Sequence, residues 1–67
     1  MDYLEWAEEY DLNALRIKSV IDRKKGMLND RLTPDARKKL LDDIAAYRRI
    51  YYELTAIGDT LRARAGR

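Results

Sequence analysis

The sequence predicts an all-α chain, an antiparallel two-helix hairpin with coiled-coil-like packing. Two spacings and one local signal carry this. Leu40, Ile44, Tyr47, Tyr51, Leu54, Gly58 and Leu61 recur at alternating gaps of four and three, the seam of a helix packed against another helix. Tyr3, Ala7, Tyr10, Ala14, Ile17, Ile21, Lys24 and Leu28 repeat that spacing in the first half. Between the seams, Thr33-Pro34-Asp35 is the clearest helix start in the chain.

Helix 1 is expected over about 2–30. Asp2, Glu5, Glu8 and Glu9 fill its first turns, where negative charge suits the positive end of the helix dipole. Arg16, Lys18, Arg23, Lys24 and Lys25 follow, so the charge gradient gives the helix a direction. A second row, Trp6, Asn13, Val20 and Met27, lies on one side of the first and widens the apolar face. Gly26 reads either as a left-handed C-terminal cap or as a mid-helix glycine costing about 1 kcal/mol against alanine. Met27 and Leu28 keep the helical phase, which favours continuation to Asn29 or Asp30.

A turn at about 31–33 follows. Thr33 suits the N-cap, since its hydroxyl can accept from an orphan backbone donor. Pro34 suits the first helical position, where its missing N–H costs nothing. Leu32 can then close over the turn as a hydrophobic staple. Helix 2 runs over about 34–64, with Arg62 and Arg64 at the negative end of its dipole and Arg67 beyond Gly66. Each rod is then about 40 Å long at about 1.5 Å per residue.

A short connection makes the helices antiparallel neighbours. Turning the chain near Leu32 sets Ile21 beside Ile44, Ile17 beside Tyr47 and Ala14 beside Tyr51. Trp6 and Ala7 fall near Gly58, whose missing side chain would make room for the indole. Asp2, Glu5 and Glu9 fall near Arg62 and Arg64. Two helices share one contact line, so Leu4, Val20, Leu41, Ile50, Tyr52 and Ile57 flank the seams without an internal partner. Contiguous surface of that kind marks an interface. Two hairpins face to face, as a homodimeric four-helix bundle, would cover it. A heteromeric partner helix is the competing solution. The expected protein-interface residues are Trp6, Tyr10, Val20, Ile50, Tyr51, Tyr52 and Ile57.

Composition narrows the chemistry. Sixty-seven residues make one domain, 1–67, with little core of its own. There is no cysteine and no histidine, which removes the thiolate nucleophile, the commonest general base and the commonest zinc ligands. Ser19, the only serine, therefore has no triad partner. Charged residues are 39% of the chain but net charge is only +2, too balanced for a strong nucleic-acid signature. No apolar run approaches the roughly 20 residues of a membrane span. The acidic N-terminus does not read as a signal peptide, and a cytoplasmic location is expected.

The remaining clusters have structural explanations. Asp42 and Asp43, with Glu53 or Asp59, read as a solvated face. A di-metal bundle would show Glu-x-x-His on facing helices. Tyr47-Arg48-Arg49-Ile50-Tyr51-Tyr52 interleaves aromatic and basic residues, a pattern that can stack on nucleic acid. On a helix, though, Tyr47 and Tyr51 point to the core while Arg48 and Tyr52 point aside. Lys24, Lys25, Arg37, Lys38 and Lys39 make the hairpin tip basic and are the candidates for contacting phosphate or an acidic partner. Asn13 and Lys24 sit on apolar rows. There a polar residue can fix register, and a lysine near the tip can reach out to water. Helical chorismate mutases grip a dicarboxylate with arginines between helices. Arg16, Arg23 and Arg48 are the available arginines, but the chain is shorter than that family and shows no matching motif. The size, charge density and lack of motifs resemble the short reading frames of phages and mobile elements.

The expected function is that of a non-catalytic interaction module without cofactor or metal. It would self-associate through aromatic and apolar helix faces and act as adaptor, regulator or inhibitor of another protein. The alternative is a nucleic-acid-associated accessory protein using the basic tip.

Overall fold

The computed structural model describes residues 2–66. It holds two helices, α1 (Tyr3–Gly26) and α2 (Pro34–Ala65). Ile21 packs with Leu40 and Ile44 near the connection, while Asp11 reaches Arg62 far from it. The helices therefore run antiparallel, as a rod of 52 × 14 × 13 Å. Arg67 lies outside the described residues.

Both helix starts are capped by side chains. The Asp2 carboxylate accepts a hydrogen bond from the Glu5 N–H at 3.1 Å. Thr33 Oγ1 accepts from the Ala36 N–H at 3.2 Å, with Pro34 opening the helix. Each cap satisfies one of the orphan donors of a helix N-terminus.

α1 stops at Gly26, short of the expected 29–30, and the connection is the longer segment 27–33. Gly26 has no positive φ, so it is not a left-handed cap. The helix instead tightens at its end. The Met27 and Leu28 N–H groups donate back to the Lys24 and Lys25 carbonyls at 3.1 Å. Asn29 then takes over. Its Oδ1 accepts from the Arg31 N–H at 2.8 Å, a local turn that competes with helix continuation. α2 runs one residue past the expected end, to Ala65.

The buried residues all fall on the two predicted seams: Ala7, Ala14 and Ile21 on α1, and Leu40, Ile44, Gly58 and Leu61 on α2. The core is thickest near the connection. There Ile17, Leu28, Leu32, Tyr47 and Tyr51 pack around Ile21, Leu40 and Ile44. Toward the open end the helices meet through Ala7 and Gly58, where a lone methyl group and a missing side chain let the backbones approach. A Cβ built at Gly58 would lie 3.8 Å from the Ala7 carbonyl oxygen and 3.1 Å from Asp11 Oδ1. The expected filling of this gap by Trp6 is therefore corrected. Ala7 holds the seam position, and Trp6, one residue earlier, is turned about 100° away and stays 41% exposed. No helix among the described residues is long and apolar enough to cross a membrane.

Candidate interaction surfaces

Nine large apolar residues are exposed among the described residues: Leu4, Trp6, Leu12, Leu15, Met27, Leu41, Ile50, Tyr52 and Ile57. At 3.6 residues per turn seven of them divide between two sides of the rod, while Leu12 lies on the back of α1 and Met27 just past its end. Two cross-helix contacts fix which flanks share a side. Lys24 Nζ lies 3.7 Å from Asp43 Oδ2 on one side. Arg62 Nη1 lies 2.6 Å from Asp11 Oδ2 on the other.

The Lys24–Asp43 side carries Trp6, Tyr10, Asn13, Ile17 and Val20 from α1, with Tyr47, Ile50, Leu54 and Ile57 from α2. Trp6, Ile50 and Ile57 are 41%, 40% and 42% exposed. Tyr10, Ile17, Val20, Tyr47 and Leu54 are half-buried. Asn13 is the one polar side chain among them, and the Lys24–Asp43 pair closes the face toward the tip. The Asp11–Arg62 side differs in character. Leu4, Leu15, Leu41 and Tyr52 stand there among Glu8, Asp11, Lys18, Asp22, Arg48 and Asp59, most of them exposed.

Of the expected interface residues, Trp6, Tyr10, Val20, Ile50 and Ile57 thus share one face. Tyr52 stands on the opposite side and is 65% exposed. Tyr51 is turned inward against the Ile21–Leu40–Ile44 cluster, and its ring meets that of Tyr52 edge-on at 5.7 Å. Half-buried Tyr47 and Tyr51 beside exposed Arg48, Arg49 and Tyr52 divide the aromatic–basic cluster between core and surface. Lys24 bends outward from its seam position. Its ammonium sits over the Tyr47 ring, 5.7 Å from the centroid, besides facing Asp43. Lys25, Arg37, Lys38 and Lys39 at the tip are exposed.

At the open end Arg62 bonds Asp11 on α1 and Asp59 on its own helix. The expected partners had been Asp2, Glu5 and Glu9. They fail because Asp2 is engaged as the N-cap, and because the seam register brings Asp11, one turn beyond Ala7, under Arg62. The hydrogen bond to Asp59, helped by Asp11, holds the Arg62 guanidinium above its ordinary pKa against the opposing pull of desolvation. Among the described residues, no group of three or more His, Cys, Asp or Glu is placed to hold a metal ion.

Sequence spacing did not single out exposed Leu12 and Leu15, because neither falls on a seam or on its adjacent row. The missed signal is two leucines on positions where a purely solvated helix would carry polar residues. Asp11 was missed because its role depends on cross-helix register rather than on local pattern.

Comparison with protein-family models, with curated proteins and with solved structures finds no match to this chain. Fold and surface together define a class: an all-α helical hairpin with one predominantly apolar face and one mixed face.

Proposed function

We propose that this chain is a non-catalytic protein-interaction module of the cytoplasm. It self-associates through its apolar face into a four-helix bundle and acts as adaptor, regulator or inhibitor of another protein. The observation that carries this reading is the apolar side, interrupted only by Asn13, running from Trp6 to Val20 on α1 and from Ile57 to Tyr47 on α2. Monomeric soluble proteins rarely leave a contiguous patch of that kind in water. Aromatic residues on that face, Trp6, Tyr10 and Tyr47, with the Lys24–Asp43 pair at its tip edge, match the composition of a protein interface. The mixed face, with Leu15, Leu41, Arg48 and Tyr52, remains available to a different protein once the apolar face is covered.

The test is Ile57→Lys, an exposed position outside the core. It should leave the helical circular-dichroism signal intact in dilute solution, while the wild type elutes earlier than the variant at matched concentration. Identical elution of the two would remove this face as a contact surface.

A further inference from the structure

We infer that the occupant of the apolar face is a second copy of this chain, laid head to tail. The two-fold axis crosses the rod near Ile17 and Ile50, so the tip of one hairpin covers the open end of the other. This rests on the reading that the apolar face self-associates, and it adds the orientation of the two copies.

Area argues for a copy-sized partner. The chain exposes 5460 Å². The scaling for compact monomers gives about 4,400 Å² at 7.9 kDa. The surplus, about 1,000 Å², is the mark of a thin rod of 52 × 14 × 13 Å. A second rod of equal length is the partner whose shape can lie along the whole apolar face, where a standard interface buries roughly 800 Å² per partner.

Charge argues for the orientation. Residues 16–49, the tip half, hold eleven lysines and arginines against five acidic residues, a net +6. Residues 2–15 and 50–66, the open half, hold seven acidic residues against two arginines, a net −5. Tips side by side would set +6 against +6 and −5 against −5. Head to tail, each basic half lies along an acidic half. Like charges brought together select strongly against the wrong arrangement, while complementary potentials favour the right one. The arrangement also places α1 antiparallel to its own copy, so Glu8 and Glu9 of one α1 come level with Lys24 and Lys25 of the other. The mixed face is a poorer surface for this contact, because burying it would desolvate the Asp11–Arg62–Asp59 group.

The chain has no cysteine, so a single introduced one reports without background. Asp30→Cys sits at the exposed tip and carries a spin label outside both helices. Dipolar spectroscopy on the labelled chain, at a concentration where sedimentation shows two copies, should give a tip-to-tip distance close to the 52 Å length of the rod. A distance within about 20 Å, two helix diameters, would overturn the head-to-tail arrangement and leave self-association standing. A single-chain mass at every concentration would overturn both. Raised salt should weaken the head-to-tail pair, and a dimer whose dissociation constant ignores salt would count against the charge argument.

Discussion

Arg62 reaches from α2 to Asp11 on α1, Nη1 to Oδ2 at 2.6 Å, directly above the spot where Gly58 leaves the helices close. One short contact therefore links the ion pair to the backbone approach. A Cβ at residue 58 would come within 3.1 Å of Asp11 Oδ1 and 3.6 Å of Arg62 Nη2. Both are ends of flexible, partly exposed side chains.

Gly58→Ala is accordingly expected to stabilise the hairpin. Alanine gains about 0.8–1 kcal/mol over glycine inside a helix. Displacing the Asp11 carboxylate by a few tenths of an ångström costs part of an exposed ion pair, itself worth about 0.2–1 kcal/mol. The net should be a few tenths to about 1 kcal/mol, raising the melting temperature by up to about 8 °C. Gly58→Leu reverses the sign, at a cost of about 1–3 kcal/mol, because the extra atoms must enter the close approach of the backbones. Thermal melts of both variants check the pair of signs.

Gly26→Ala separates two readings of the end of α1. Nothing lies within 4 Å of a Cβ there, and φ is not positive. Alanine should stabilise by about 0.8–1 kcal/mol. A left-handed cap would instead make the same change destabilising. Urea unfolding of the two chains reads the difference.

Ile44 is one of the three residues of the buried cluster. Ile44→Ala should cost about 2–5 kcal/mol, against a total stability of about 3–10 kcal/mol for a chain this long. The variant should lose much of its helical signal at 25 °C. Ile44→Val, at about 0.5–1.5 kcal/mol, should stay folded with a lowered midpoint.

Lys24 faces Asp43 and the Tyr47 ring. Lys24→Glu should cost about 1 kcal/mol, combining the lost exposed pair with an anion in the last turn of α1. Adding Asp43→Lys should recover about half of that, because the exchange restores the pair but not the dipole term. Denaturation midpoints of the single and double variants measure both parts.

Much of this fold was legible in the spacing of residues. The four-and-three gaps located the buried positions on both helices, and Thr33-Pro34 located the start of α2, because burial periodicity and capping chemistry are local. The end of α1 was not legible. It depends on Asn29 accepting from Arg31 in preference to another helical turn, a balance of small terms. The packing at Gly58 was also misread. Ala7 and Trp6 are adjacent in sequence, and a rotation of about 100° decides which one faces α2. The flanking apolar residues were visible as a set. Their division into a predominantly apolar face with Ile50 and a mixed face with Tyr52 needed the cross-helix pairs Lys24–Asp43 and Asp11–Arg62.

Sedimentation equilibrium of the wild-type chain over a range of micromolar concentrations tests self-association most directly. The expected result is a reversible shift from the 7.9 kDa chain mass to twice that value, abolished by Ile57→Lys. A fully helical chain that keeps the single-chain mass throughout would contradict it.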